Sequence, residues 1–310
     1  MSKSIKAFAP ATVANVACGF DVLGFAVDAP GDEVTITLND TGEIRITDIQ
    51  GDDGLLPLES DENTVSLVIR EYLTHIGSKQ GVDIALRKGM PLKSGLGSSA
   101  ASSVVGVFAL NRLLGSPLTD KELLPFAMEG ERLACGTAHA DNVAPALLGG
   151  FVLVRSYSPL DVIELPTPKK LYATIIHPHI EVKTKDARSI LRKNIQLQDA
   201  VTQWGNLAGL ISGLMTEDYD LIGRSLQDVI VEPVRSILIP GFDLAKQAAL
   251  DAGALGASIS GSGPSIFALS TDLKTANKIG DAMKMVFDNI NIANEVFVSK
   301  VSKQGPRIID

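Results

Sequence analysis

Between Pro91 and Ala101 the chain reads Pro91, Leu92, Lys93, Ser94, Gly95, Leu96, Gly97, Ser98, Ser99, Ala100 and Ala101, a glycine-rich turn running straight into an apolar segment. Gly95 and Gly97 permit positive φ and let a ligand approach the backbone. A helix starting near Ser98 aims its unpaired N–H groups and the positive end of its dipole at an anion. The hydroxyls of Ser98 and Ser99 can cap that helix, bond a phosphate oxygen or ligate Mg2+. Taken alone, the same residues read equally well as a glycine turn followed by a serine N-cap. Two better-known phosphate signatures compete for them. The P-loop fails, because no Gly-Lys-Ser/Thr occurs and its phosphate-reading lysine is missing. The spacing of Gly95, Gly97 and Ala100 satisfies the relaxed dinucleotide fingerprint, so an NAD-binding oxidoreductase is an alternative. That fingerprint needs a second strand ending about 20 residues on, where a second helix is predicted instead.

The histidines offer less. His139 invites an acid–base or metal reading, and His177 with His179 a metal reading. With no Glu-x-x-His motif and no cysteine cluster, neither builds a zinc site. Cys18 and Cys135 are the only cysteines, far apart, and read as reduced packing residues.

The elements that must position these residues follow from hydrophobic periodicity. Alternation predicts strands at Ile5–Ala9, Glu33–Leu38, Glu43–Ile49 and Val82–Arg87, with helical spacing over Asn63–Ile76. Ser98–Leu114 is apolar or small on nearly every face, as in a buried helix. Thr119 reads as an N-cap with Glu122 at the capping-box position, opening a helix toward Ala134. Gly149–Val154 and Lys170–His177 read as strands, and Pro159, Pro166 and Pro168 between them suggest a domain boundary near residues 155–168. Beyond it, helices are predicted at Lys185–Arg192, Gln198–Met215, Asp218–Gln227, Phe242–Ala252 and Leu273–Phe287, and strands at Gly256–Ile259, Ser265–Leu269 and Val296–Val301. The pattern is α+β, without a fixed-period repeat.

A chain of 310 residues is long enough for two compact units, and 45% hydrophobic with 21% charged residues is an ordinary globular composition. Apolar stretches such as Ala144–Val154 are broken by Pro145, Gly149 and Gly150, short of the ~20 residues a membrane span requires. The first residues lack a secretion signal, which points to the cytoplasm. A net charge of −8 argues against a broad nucleic-acid surface. Any phosphate site must be local.

Three segments in order, Ala9–Asn15, the Gly95–Ala101 loop and Gly256–Ser265, resemble the three motifs of the GHMP kinases, named for galactokinase, homoserine kinase, mevalonate kinase and phosphomevalonate kinase. The homoserine kinase branch is similar further, around Asn15–Asp21, at Glu131 with His139–Pro145, at Thr184–Arg188 and at Glu232–Ser236. Thr12 stands where many members carry serine and keeps the hydroxyl. The resemblance implies a two-domain fold: an N-terminal domain over 1–160 like ribosomal protein S5 domain 2 and a ferredoxin-like C-terminal domain over 161–310. A final strand near 296–310 can return to the first, and the active site falls in the cleft between them. It implies ATP-dependent phosphorylation of the L-homoserine hydroxyl in threonine biosynthesis, with a mevalonate- or shikimate-type kinase as the alternative within the superfamily, and a homodimer.

Site roles come from the same resemblance. ATP would meet Asn63 and the Pro91–Ala101 loop. Mg2+ would meet Glu131 with a hydroxyl of Ser98 or Ser99. Asp21 would take the substrate ammonium, and Arg188 with Arg235 its carboxylate, which a guanidinium fork suits. Asn15, His139, Asp141 and Asn142 would line the remainder. Asn142 stands where mevalonate-type relatives place an aspartate, so catalysis would rest on Asn142, Glu131 and Ser99 without a carboxylate base.

Overall fold

The computed structural model describes residues 3–136 and 138–309, without the side chain of Cys135, so the packing role predicted for that cysteine lies outside the described residues. Chain order begins β1 (Ser4–Ala14), β2 (Leu23–Asn39), β3 (Ile44–Gln50), α1 (Thr64–His75), β4 (Gly81–Arg87), α2 (Ser98–Leu113), α3 (Leu124–Cys135), α4 (Ala140–Leu148), β5 (Phe151–Tyr157) and β6 (Leu160–Leu165). It continues with β7 (Tyr172–Pro178), α5 (Thr184–Ser189), α6 (Leu197–Thr216), α7 (Tyr219–Ser225), α8 (Glu232–Arg235), α9 (Phe242–Asp251), β8 (Gly256–Ile259), β9 (Ile266–Ser270), α10 (Leu273–Asn289), β10 (Asn294–Lys300) and β11 (Arg307–Ile309).

Two sheets organise these elements. The first has seven strands ordered β11-β1-β2-β4-β3, with β5 pairing β2 and β6 pairing β5; the second has four, ordered β10-β7-β9-β8. The helix α2 packs on β1 and β2, while α9 and α10 cover the second sheet. One apolar core runs beneath both sheets: the ring of Phe25 lies 4.9 Å from Phe151 and 5.9 Å from Phe267 of the second sheet. A smaller core, with Phe242, Ile259, Met283 and Phe287, fills the space under α9 and α10.

Local sequence explains most element limits. Asn63 caps α1, its side chain accepting from the Val65 N–H, as Ser/Thr/Asn/Asp do at this position. The small residues of α2 bury almost all of its circumference, and a Cβ on Gly106 would stand 2.8 Å from Val65, which shows how closely α1 and α2 approach. Expectation and structure part in several places. The strand read at Glu33–Leu38 begins ten residues earlier, at Leu23, because Leu23–Val27 are buried at every position and give no alternation. Thr119 does not cap α3: its N–H and hydroxyl both donate to Glu122 within a tight turn, and α3 starts later with a proline in its first turn, a position that suits Pro. The proline-broken stretch after Tyr157 contains the strand β6, hairpinned to β5. Residues 139–142, where periodicity predicts no element, open the helix α4 with His139 as its N-cap. The C-terminal strands divide, β10 pairing β7 and β11 pairing β1.

Candidate active site

The three glycine-rich or small-residue motifs meet at one point. β8 and β9 form a hairpin whose Ser260–Ser265 turn lies against the glycine loop: the Ser260 hydroxyl donates to the Gly95 carbonyl at 2.7 Å, and the Ser265 N–H to the Ser94 carbonyl at 3.2 Å. Gly261 donates its N–H to Ala14 and accepts from the Asn15 amide at 2.7 Å. At Gly95, with φ +80°, an added Cβ would sit 2.5 Å from the Ser260 carbonyl oxygen, so only glycine fits this crossing. A cleft of about 580 Å3 opens beside the crossing.

At one end of the cleft stands the N-terminus of α2. Its N-cap is Gly97 in the left-handed region with φ 68°, and no side chain caps the helix. The first N–H groups and the dipole are thereby left to a ligand. The buried hydroxyls of Ser94 and Ser98 have no partner, and the hydroxyl of Ser99 donates to Glu131. Glu131 is 6% exposed, while Arg132 and Lys121 are engaged elsewhere, with Glu129 and Glu164. Leu56, Pro57, Leu86 and Leu92 give this end apolar walls suited to a flat heterocycle.

Not every residue of the loop faces the cleft. Leu92, Lys93, Ser94, Gly95, Gly97, Ser98 and Ser99 line it, whereas Pro91 does not, and Leu96, Ala100 and Ala101 are fully buried in the core on the other face of the turn. The Lys93 ammonium pairs with Glu181 at 2.9 Å. Asn63 lines the cleft, but its amide is committed to the α1 cap and to the Pro57 carbonyl.

The other end is dense in charge. The turn between β1 and β2 carries Asn15, Val16, Ala17 and Asp21 at positive φ of 73°, 43°, 58° and 60°, a conformation costing non-glycine residues roughly 1–2 kcal/mol each. Asp21 receives a two-pronged hydrogen bond from Arg188 of α5, both contacts at 2.9 Å. Arg235, the last residue of α8, is 3% exposed; it donates to the carbonyls of Ala187 and Gly261, each at 3.1 Å. Both guanidinium groups stand over the Phe20 ring. Burial, and then Arg188, pull Arg235 down to about 10, which leaves it charged at neutral pH.

His139 lies 3.9 Å from Asp21, and neither ring nitrogen has a hydrogen-bond partner. Burial lowers its pKa against the opposing pull of Asp21, and the two arginines add to the lowering, so it stays neutral at physiological pH. Asp141 is buried with one oxygen unpartnered; burial, then Asp21 and Glu131, push its carboxyl up to about 7. Asn142 joins the two ends. Its Oδ1 accepts from the Thr12 hydroxyl at 2.7 Å, and a Cβ on Gly97 would collide with that Thr12 oxygen at 2.1 Å and the Asn142 oxygen at 2.9 Å.

The structure therefore brings Asn15, Asp21, Glu131, His139, Asp141, Asn142, Arg188 and Arg235 to the wall of one cleft with Ser98 and Ser99. Sequence reasoning missed Lys88 and Ser102 in the same wall. Lys88 is sealed in an ion pair with Asp32, and its ammonium also donates to the Ser98 carbonyl at 3.0 Å and the Ser102 hydroxyl at 2.6 Å. Nothing local distinguishes a lysine at a strand end from a solvated one. The hydroxyls of Thr184 and Ser262, 3.2 Å apart, also line the cleft. His177 is a core group, its ring beside the Ser265 hydroxyl, and burial pushes it down to about 4.

Among the described residues no group of three His, Cys, Asp or Glu side chains is placed to hold a metal by itself. A single buried carboxylate with adjacent hydroxyls fits instead a hard cation that takes its remaining ligands from phosphate and water, as Mg2+ does.

Residues 63–150 match the family model of the GHMP kinases N terminal domain, and residues 210–289 that of the GHMP kinases C terminal. A homoserine kinase of Chlorobaculum tepidum is 54% identical over 319 residues, covering 99% of this chain and 98% of that protein. The crystal structure of homoserine kinase from Cytophaga hutchinsonii superposes with a TM-score of 0.97 at 67% identity, over 100% of this chain and 98% of that one. L. major mevalonate kinase, solved with R-mevalonate, shares the fold at 16% identity with a TM-score of 0.75 over 97% and 96% of the two chains.

Proposed function

The chain belongs to the homoserine kinases, a branch of the GHMP kinases, and from that premise we propose how its cleft carries the reaction. It transfers the terminal phosphoryl group of ATP to the side-chain hydroxyl of L-homoserine, a step of threonine biosynthesis. The observation that supports the site assignment best is the polarity of the cleft: backbone donors of α2 at one end, a cluster of Asp21, Arg188 and Arg235 at the other, and Asn142 between. ATP phosphates lie against α2, and the substrate's ammonium and carboxylate meet the acid and the arginines. Arg188 then exchanges part of its bond to Asp21 for the substrate carboxylate, while Asp21 and Asp141 receive the ammonium.

Glu131 and the hydroxyl of Ser98 or Ser99 would hold Mg2+, which would supply neutralisation of the phosphate charge. Asn142, held by Thr12, turns its amide N–H toward the acceptor and orients the hydroxyl without being able to remove its proton. The new bond forms between the homoserine oxygen and the γ-phosphorus as the bond to the ADP oxygen breaks. The hydroxyl proton leaves late, to an oxygen of the transferred phosphoryl group, which a loose transition state permits without a strong base.

A boundary between Leu165 and Tyr172, with β11 returning to the first sheet, is the domain division we favour. A cytoplasmic location accords with ATP use and with Cys18, whose thiol burial pushes up to about 12; among the described residues no helix is long and apolar enough to cross a membrane. A homodimer is supported by α6, which exposes Leu197, Val201, Trp204 and Met215 and carries only one charged residue, Asp199. Such a neutral apolar face lets two copies of a chain of charge −8 approach. The decisive assay is coupled ADP release with L-homoserine, mevalonate, shikimate, galactose and L-serine. L-Homoserine should exceed every other alcohol in kcat/KM by at least ~100-fold, roughly 2.8 kcal/mol. Faster turnover of mevalonate or shikimate would overturn the assignment.

A further inference from the structure

We propose that Tyr157 and Gln203, neither of which lines the cleft, are positioning residues for the phosphoryl acceptor: they clamp the left-handed turn 15–21 in the shape that presents Asn15 and Asp21. The inference rests on the acceptor-end assignment above and names what holds that end together.

The turn is closed on itself by the Gly19 N–H on the Asn15 carbonyl at 2.8 Å, the Leu23 N–H on the Gly19 carbonyl at 2.9 Å, and the Asp21 N–H on the Asn15 side chain at 3.0 Å. Four non-glycine residues at positive φ, one of them β-branched Val16, do not hold such a conformation unaided. Surroundings must over-determine it. Two carbonyls of the turn each meet one side chain from a distant element. The Cys18 carbonyl accepts from the Gln203 amide of α6 at 3.1 Å, and the Asp21 carbonyl accepts from the Tyr157 hydroxyl at the end of β5 at 2.9 Å.

Each clamp also grips a second part of the acceptor end. The same Gln203 nitrogen donates to Asp228 at 3.0 Å, and its oxygen accepts from the Val229 N–H at 3.1 Å. Asp228 in turn takes the N–H groups of Ile230, Val231 and Glu232 at 2.9, 3.0 and 2.9 Å, fixing the start of α8, which ends in Arg235. The Tyr157 hydroxyl accepts from the Ala140 N–H at 3.3 Å, at the start of α4, which carries Asp141 and Asn142. Two uncharged groups thus hold three segments, distant in sequence, at fixed spacing. Both of the hydrogens on the Gln203 amide nitrogen and its oxygen are used, so its chemistry is spent on this junction.

The test uses the full chain with Tyr157→Phe, which removes one oxygen from a ring that is 40% exposed, and Gln203→Met, which keeps the volume. Initial rates are measured with ATP and homoserine varied separately, and melting temperatures alongside. Each variant should raise the homoserine KM about five- to tenfold, with the ATP KM inside about twofold of the parent. A homoserine KM inside that same margin removes the clamp role from the residue changed. An ATP KM rising by the same factor as that for homoserine marks a merely structural loss and also overturns it. Should Gln203→Met not fold, Tyr157→Phe decides. Arg235→Ala in parallel separates the two levels: an unchanged homoserine KM there overturns the acceptor assignment itself, whereas its loss beside unaffected clamps overturns only the clamps.

Discussion

The end of the cleft proposed for the nucleotide comes mainly from one run of chain, Leu92–Ser99, with Glu131 across from it, and its donors are backbone N–H groups and serine hydroxyls. The end proposed for the acceptor draws on residues 15–21, 139–142, 184–188, 235 and 261, and its polar groups are mainly side chains, among them the Asp21–Arg188 pair and the buried Arg235. A phosphate carries enough charge to be recognised by dipoles from a single helix, which a local sequence can supply. A small amino acid presents two opposite charges close together, so groups of both signs must converge on it. That convergence requires tertiary structure.

Glu131 gives the sharpest way to break this contrast, because it is the buried acid that takes the Ser99 hydroxyl. Glu131→Gln should lower kcat by about 10³-fold, ~4 kcal/mol, and excess Mg2+ should restore part of it. Full activity at limiting Mg2+ would return phosphate handling to the backbone alone. The acceptor end should respond in a different parameter. Arg235→Ala should reduce kcat/KM for homoserine by about 1.5–3 kcal/mol, the range for charge-assisted bonds, and leave ATP binding in place. Equal loss for both substrates, measured from separate saturation curves, would erase the distinction between the two ends.

The smallest effect is a pH dependence confined to the acceptor end. Asp141, pushed up to about 7 from an ordinary 3.8, keeps in the folded state a proton that the unfolded chain has already released. Its favourable contribution is whole below about pH 4 and is lost as pH rises through 7. Asp141→Asn cannot titrate, so its stability relative to the parent should climb by roughly 1–2 kcal/mol between pH 6 and 8, followed by urea unfolding. A flat difference across that range would mean that Asp141 is ionised in the empty cleft.

Legibility in the sequence divides along the same line. The glycine loop and the buried helix behind it were readable because their signal lies within a few residues, Gly97 before a small apolar run. Helix α4 was not, since His139–Asn142 carry no periodicity and Pro145 sits inside the helix. Only the resemblance nominated Asp21, Arg188 and Arg235 together, for nothing in one dimension joins positions 167 residues apart. Asp32 and Lys88, the clamp at Gln203 and the hydroxyl of Tyr157 escaped both kinds of reading, because each is defined by a partner and not by a neighbour.

The pairing of β11 with β1 bears on how the chain is made. β1 leads directly into the turn that carries Asn15 and Asp21, and its outer edge is covered by Arg307–Ile309, with Arg307 stacked 4.1 Å over the Phe8 ring. During synthesis that edge stays bare until some three hundred residues have followed it, an interval in which an unpaired strand can recruit the wrong neighbour. Completion of the first sheet is therefore a late event, because β1 waits for β11 to cover its outer edge.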